Sequence, residues 1–174
     1  NLPIWAAERQ GFFEEHGVRV LLTPTPSSTF QVQGLAEGRF DIAMTAIDNV
    51  VAYQEGQGEA EIPDDPDLFA FMGADNGFLS LVGGRGVKSI GELGGRRLSV
   101  DAMTTGFAFV LREVLAKKRV AESEVKFERA GGVANRFRMM LENPGHAATT
   151  QMTPFDLLGE ARGFNTIARA RDVL

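Results

Sequence analysis

Small polar residues recur at six places in this sequence, each time just after an apolar, strand-like run. The six clusters are TPSSTF (25–30), TAIDN (45–49), ADNG (74–77), DAMTTG (101–106), GGVANR (131–136) and QMTP (151–154). A helix-like segment follows each cluster. In open α/β sheets, ligands bind beyond the carboxyl ends of the strands, where helix N-termini offer free N–H groups. The pattern therefore favours a cleft that binds a small molecule by hydrogen bonds.

The candidate ligand contacts are the hydroxyl, amide, carboxylate, glycine and aromatic residues of these clusters, with one arginine. They are Ser27, Ser28, Thr29, Asp48, Asn49, Asp75, Asn76, Thr104, Thr105, Gly106, Phe107, Gly132, Asn135, Arg136, Gln151 and Thr153. For any one cluster, the alternative is that its polar residues only cap a helix. Six clusters on one edge favour the cleft over six unrelated caps.

Specific roles are expected at four of these positions. Asp48 is expected to cap the helix that follows it, and Asn49, or its backbone N–H, to contact the ligand. Gly106 would let the ligand approach the backbone closely because it has no side chain. Arg136 is the best candidate for contact with a charged ligand, and a solvated helix face is the alternative. Helix N-termini that point into the cleft favour an anionic group.

These clusters are positioned by strand-like and helix-like segments that alternate along the chain. Short β-branched or apolar runs predict strands at 18–23, 40–45, 67–74, 97–102, 125–130, 146–151 and 165–170. Apolar spacing of three and four residues predicts helices at 28–38, 48–56, 106–120, 134–143 and 154–163. The alternation is typical of βαβ units and mostly parallel sheets, and so of the α/β class.

A glycine-rich stretch separates two such series. Residues 77–95 hold seven of the 20 glycines, and we interpret this change of composition as the crossing between two lobes. The predicted organisation is lobe one at 1–76, a crossing segment at 77–83, lobe two at 84–166, and the start of a return to lobe one at 167–174.

Composition and motifs exclude several other classes. The net charge of −5 with scattered Lys and Arg disfavours nucleic acid as a partner. The chain lacks Cys, phosphate-loop and dinucleotide motifs, and a nucleophile elbow. His16 and His146 have no neighbours at metal-ligand spacing, and the aspartates at 64, 65 and 67 lie in a Pro-rich loop. We therefore expect no catalytic residues, no metal and no cofactor.

Several segments resemble the substrate-binding proteins of nitrate/taurine/sulfonate-type ABC importers. LPIWAAERQGFFEEHGVRVLL matches the pattern A-x-x-x-G-F/Y-F-x-x-x-G-(L)-x-V of that family, and GLAEGRFDIAMTAIDNVVA matches its next element. VKSIGELGGRRLSVDAMTTGFAFVLREVLAKKRV and GGVANRFRMMLENPGHAATTQMTPFDLLGEARGF resemble its later parts. The resemblance covers essentially the whole chain, and it rests on the order and spacing of these segments.

The resemblance implies the type 2 periplasmic binding protein fold, with two α/β lobes and a ligand cleft between them. It also implies a small-molecule ligand, a membrane permease as partner, a monomer, and a periplasmic or extracytoplasmic location with or without a lipid anchor. The first strand of the family would precede Asn1, and its return to lobe one would follow Leu174. Upstream of Asn1, a signal peptide, a lipoprotein signal and another kind of segment are the open alternatives. Arg119 stands where the family usually has Gly after a helix.

Two other functions are possible on the same fold. One is an enzyme of thiamin-pyrimidine or menaquinone pathway type, which requires a base in the cleft. The related thiamin-pyrimidine synthase resembles the opening helix but depends on a Cys-rich segment and an active-site His, and this chain has no Cys. The other is the ligand-sensing domain of a regulator, which would carry a DNA-binding segment upstream.

Overall fold

A five-stranded sheet forms the centre of the fold. The computed structural model describes residues 2–62, 67–73 and 79–174. Within them the strands are β1 (Ser80–Gly83), β2 (Arg97–Val100), β3 (Lys126–Arg129), β4 (His146–Gln151) and β5 (Asn165–Arg169). The helices are α1 (Leu2–Gln10), α2 (Phe12–Glu15), α3 (Ser28–Ala36), α4 (Ile47–Gln54), α5 (Gly106–Lys117), α6 (Val133–Glu142), α7 (Phe155–Glu160) and α8 (Ala170–Val173).

The sheet is mixed, but four of its five strands run in the same direction. The strand order is β3-β2-β4-β1-β5. β2 is parallel to both β3 and β4, as expected for strands joined by helices. β1 is antiparallel to β4 and to β5, so β1 alone runs against the others. The prediction of an α/β fold with mostly parallel strands is confirmed for this part of the chain.

Helices cover both faces of the sheet. Side chains of successive strand residues point to opposite faces, and Leu81 and Val82 of β1 accordingly belong to different clusters. Leu81 packs in the larger cluster with Leu98 of β2 and Leu111 of α5. Val82 packs in the smaller cluster with Phe137 of α6. The sheet is therefore the middle of three layers, with its carboxyl edge framed by the N-termini of α5 and α6.

Three predicted strands do not form. The segments 18–23, 40–45 and the described part of 67–74 have no strand structure, and their side chains are exposed: Leu21 at 90%, Ile42 at 65% and Phe69 at 74%. The β-branched and aromatic pattern indicates apolar segments, but a strand also needs a neighbour that accepts and donates its backbone hydrogen bonds. In the described residues, no such neighbour lies beside these segments. The predicted strands from 97 onwards are all present.

Arg119 adopts a backbone conformation that is typical of glycine. It follows the end of α5 with a φ of 60°, in the left-handed region. Glycine reaches this region without steric cost, whereas a residue with a Cβ is strained there. The helix therefore ends with the geometry of a glycine cap, although the side chain is an arginine.

Candidate functional site

The carboxyl edge of the sheet brings together residues from five of the six polar clusters. Asp101 follows β2, Gly131 and Gly132 follow β3, and Gln151 ends β4. The N-terminal region (residues 2–62) reaches this edge through its own clusters. The Pro26 carbonyl oxygen accepts hydrogen bonds from the Gly132 N–H, 2.8 Å away, and from Asn135 Nδ2, 3.5 Å away.

Asp101 is the centre of a hydrogen-bonded group at this edge. The residue is buried, with 7% of its surface exposed. Its Oδ2 accepts from Ser28 Oγ at 2.8 Å, and its Oδ1 accepts from Thr105 Oγ1 at 2.5 Å. Ser28 begins α3 and Thr105 is the N-cap residue of α5. One carboxylate therefore links the N-terminal region to the helix that follows β2.

The N-terminus of α5 and the loop before it donate three backbone N–H groups to carboxylates. The Gly106 N–H donates to Asp48 Oδ2. The Met103 and Thr104 N–H groups both donate to Glu59 Oε1, the second over 3.0 Å. These are charge-assisted hydrogen bonds at a helix N-terminus, where negative charge is stabilised. The loop 103–106 is thus a set of donors that accommodates carboxylate oxygens.

The side chains of Asp48 and Asn49 in α4 both have hydrogen-bond partners, and the contact of Asn49 with a ligand stays a prediction. The N-cap residue of α4 is Ala46, with no side-chain cap, so the prediction that Asp48 caps its own helix is wrong. The carboxylate instead accepts a hydrogen bond from the N–H of Gly106 at the start of α5. Asn49 is buried and donates from Nδ2 to Thr45 Oγ1 at 2.6 Å.

Arg136 is a fully buried cation beneath the same edge. Its guanidinium donates to Thr149 Oγ1 at 3.0 Å and to the carbonyl oxygens of Gly131 at 2.7 Å and Thr150 at 3.1 Å. It also lies 4.5 Å from the centre of the Phe107 ring. Exposure of the arginine is 0%, so the alternative of a solvated helix face is wrong. No ion pair involves Arg136 in the part of the chain that the structure describes.

Burial changes the proton affinity of two groups at the edge. Burial lowers the pKa of Arg136 to about 10, and the negative charge of Asp101 opposes the change. The arginine therefore remains charged at neutral pH. Burial also raises the pKa of Asp48; its hydrogen bond from Gly106 opposes the shift, and the charge of Asp101 adds to it.

The other predicted contacts are placed less centrally. Ser27 caps α3 by accepting from the Phe30 N–H at 3.2 Å, and its hydroxyl lies 2.9 Å from that of Thr29. Gln151 is buried and donates to the Val133 carbonyl oxygen at 3.4 Å, while its Oε1 has no partner within the described residues. Thr153 is exposed and pairs with Asp156, away from this hydrogen-bonded group. Asp75 and Asn76 lie outside the described residues.

Glu59 was not predicted as a site residue. It lies in the acidic, Pro-rich segment that the sequence indicates is a loop, and the described part of that segment has no helix or strand. Its side chain is only 14% exposed, and its Oε2 pairs with Arg129 Nε at 3.1 Å. Acidic residues in such loops are usually solvated, and nothing in the local sequence distinguishes Glu59 from its neighbours.

Neither histidine lies at this edge. His146 begins β4, at the opposite end of the strand from Gln151, and its Nδ1 lies 2.7 Å from Ser99 Oγ in the sheet interior. His16 is exposed at the end of α2. Within residues 2–62, 67–73 and 79–174, no cluster of three or more acidic or histidine side chains is placed to hold a metal ion. None of the helices in these ranges is long and apolar enough to cross a membrane.

Comparison with known proteins identifies the class. The chain belongs to the NMT1/THI5 like family, whose model matches residues 1–158. Its fold is similar to that of the ligand-binding component of an ABC-type import system from Staphylococcus aureus, solved with zinc bound. The TM-score is 0.65 and the identity 16%, over 90% of this chain and 52% of that one.

Two further solved structures share the fold. The periplasmic aliphatic sulphonate binding protein SsuA from Escherichia coli matches with a TM-score of 0.60 and 10% identity, over 97% of this chain and 56% of that one. A protein from Bordetella bronchiseptica RB50 matches with a TM-score of 0.62 and 19% identity, over 94% of this chain and 50% of that one. The chain thus spans about half the length of these structures. Comparison with curated proteins gave no significant match.

Proposed function

We propose that this chain is part of the solute-binding receptor of an ABC importer, located outside the cytoplasm. The receptor captures a small organic anion at the carboxyl edge of the sheet and delivers it to a membrane permease. Family membership and the shared fold with two named import or periplasmic binding proteins support the receptor role. Capture and release of a solute require no bond chemistry, and neither His16 nor His146 lies at the edge.

The proposal that the solute is an anion rests on the hydrogen bonds of the loop 103–106. Its backbone N–H groups already hold carboxylate oxygens, those of Asp48 and Glu59. A carboxylate or sulfonate group of a solute presents the same kind of acceptor to such donors. Arg136 adds a positive charge beneath the edge that no described carboxylate pairs with, which favours a net negative occupant.

We also propose that the receptor has two lobes, which close on the solute. Residues 1–76 would belong to lobe one, 84–166 to lobe two, and 77–83 to the crossing, with 167–174 starting the return. The contacts of Ser28 with Asp101 and of Pro26 with Gly132 bridge these two ranges. Hinge closure around a solute stabilises the closed arrangement by the difference in affinity between the two states. We propose a monomer, in which one chain supplies the whole cleft.

A thermal-shift screen tests the anionic class. Small carboxylates and sulfonates are compared with neutral and cationic analogues of the same size. A binder at 100 times its dissociation constant should add about 2.7 kcal/mol to the free energy of unfolding. Stabilisation by an anion, and its loss in Arg136→Lys, would support the proposal because lysine keeps the charge but not the planar fork. Stabilisation only by cationic analogues would contradict it.

A further inference from the structure

Two carboxylates fasten the N-terminal region to the edge of the sheet. Asp48 is on α4 and Glu59 follows it in a loop, and both bond to the loop 103–106 after β2. Glu59 also pairs through Oε2 with Arg129 at the end of β3. Helix α4 otherwise has few direct contacts with the sheet layer, and its packing neighbour there is α5. The carboxylates therefore supply much of the directed bonding between the two parts.

The Asp48 side chain fits closely against the backbone of Gly106. A Cβ placed on Gly106 would lie 2.6 Å from Asp48 Cγ, which is too close for two carbon atoms. Glycine therefore leaves the space that the carboxylate fills. The glycine is at the first position of α5, where its N–H has no partner inside the helix. Asp48 supplies the partner that the helix itself lacks.

Charge makes this contact sensitive to protons. Asp48 faces the Asp101 carboxylate and the Gly106 N–H. The charged groups around them are Glu59 with its partner Arg129, the buried Arg136, and Arg112, which donates to the Met103 carbonyl oxygen. The other titratable group is Tyr53, whose hydroxyl accepts from the Ala60 N–H. Burial is the largest cause and raises the pKa of Asp48; the Gly106 hydrogen bond opposes this rise, and the Asp101 charge adds to it by a smaller amount. A carboxyl group whose pKa rises in the contact takes up a proton when the contact forms, so acid favours the contact.

We infer that Asp48 and Glu59 form a proton-sensitive latch that closes the N-terminal region onto the N-terminus of α5. The latch is held by the N–H groups of Met103, Thr104 and Gly106 and by Arg129. It closes more completely as the pH falls and loosens as Asp48 ionises. If the proposed function is correct, a solute anion and the latch carboxylates compete for the same N–H groups.

The absence of cysteine makes the latch measurable by pairs of spin labels. Gln54→Cys on α4 and Lys118→Cys at the end of α5 place both labels at exposed positions. The distance between them is measured by double electron–electron resonance in the full chain. Asp48→Ala and Glu59→Ala should each raise the ratio of long to short distances about tenfold, as expected when a hydrogen bond to a charged group is lost.

The pH response separates the latch from a simple structural contact. The short-distance population should grow in the parent chain as the pH falls through the raised pKa of Asp48. Asp48→Asn keeps an acceptor oxygen but cannot titrate, so its short-distance population should not change with pH. An unchanged distance distribution in the Asp48→Ala, Glu59→Ala double variant would overturn the latch, and an equal pH response in Asp48→Asn would overturn its proton dependence.

Two controls keep these results interpretable. Amide NMR signals of β2 and β4 show whether each variant keeps the folded sheet. In the parent, the Gly106 amide proton should shift with pH as Asp48 titrates, and this shift should vanish in Asp48→Asn; its persistence would contradict the hydrogen bond itself. No solute is used in any of these measurements. A failed latch therefore leaves the anion-binding proposal open, and a failed solute screen leaves the latch open.

Discussion

Substituting Gly106 by alanine tests the contact with Asp48 from the opposite side. The new Cβ would lie 2.6 Å from Asp48 Cγ. The Asp48 side chain is short and can rotate away, but it then loses the hydrogen bond from the Gly106 N–H. A hydrogen bond to a charged group contributes ~1.5–3 kcal/mol, and Asp48 is only half-buried, so the lower end of this range applies.

Alanine also has an effect of its own, which a second variant isolates. Alanine is a better helix former than glycine, by up to ~1 kcal/mol in a helix interior and less at the first turn. We take a gain of ~0.5 kcal/mol at this position. Gly106→Ala should then destabilise the parent chain by ~1 kcal/mol. The same substitution in the Asp48→Ala background should stabilise the chain by ~0.5 kcal/mol, because the carboxylate is no longer there to be displaced.

Urea unfolding of the four proteins gives the coupling directly. The two substitutions should be non-additive by ~1.5 kcal/mol, well above the ~0.3–0.5 kcal/mol scatter of independent sites. Equal slopes of the unfolding transitions would show that the effect lies in the folded state. If Gly106→Ala has the same effect in both backgrounds, Asp48 does not occupy the space at Gly106. The interpretation of the cleft edge would then be wrong at its central contact.

Three other substitutions test separate features of the structure. Arg136→Met removes the donor to the carbonyl oxygens of Gly131 and Thr150 and should lower the free energy of unfolding by ~2–4 kcal/mol; a urea midpoint equal to that of the parent would contradict the burial of Arg136. Arg119→Gly should raise the free energy of unfolding by ~1 kcal/mol because its φ is 60°, and an unchanged or lower melting temperature would contradict this strain. The raised pKa of Asp48 means that the folded chain binds its proton more tightly than the unfolded chain. Stability from this group should therefore fall as the pH rises through that pKa, and Asp48→Asn should flatten this part of the pH profile of urea unfolding.

The strands from 97 onwards and the helices that pack on them could be predicted from the sequence, because the patterns that indicate them lie within each segment. Helix α5 has apolar residues at Phe107, Val110, Leu111 and Val114, and the last two are buried against the sheet. The strands from 97 onwards are short β-branched or small-residue runs between turn signals, and each pairs with a neighbour. In this part of the chain, periodicity and turn chemistry indicate the same structure.

The N-terminal region shows the limit of the same reasoning. VRVLLT at 18–23 has the composition of a strand, yet Leu21 is 90% exposed. Strand formation depends on a partner that is distant in sequence, and no local pattern reports whether that partner is present. Strand propensity therefore predicts which segments are apolar, but it cannot predict whether they pair with a neighbouring strand.

For the candidate site, the sequence predicts which edge of the sheet holds the polar residues, but it does not predict their hydrogen-bond partners. The rule that ligand-binding residues follow parallel strands predicts a shared edge for Asp101 and Gly106, which follow β2. Ser28 also reaches this edge, although no strand forms at 18–23 before it. The partner of each donor depends on side-chain packing across the edge, which the sequence does not encode locally. The local sequence therefore assigns Asp48 to its own helix and gives Glu59 no role at the edge.

The misassignment of Asp48 has a general physical cause. A helix N-terminus has free N–H groups whether or not a cap residue precedes it, and any carboxylate that reaches them gains a charge-assisted bond. At α5 the cap position is Thr105, whose hydroxyl is already committed to Asp101, so the N–H of Gly106 is free for a carboxylate from elsewhere. A helix whose N-cap side chain points toward another partner is thus a binding site for an external acceptor. In this chain that acceptor is Asp48, and the proposed solute anion would have to compete with Asp48 for the Gly106 N–H.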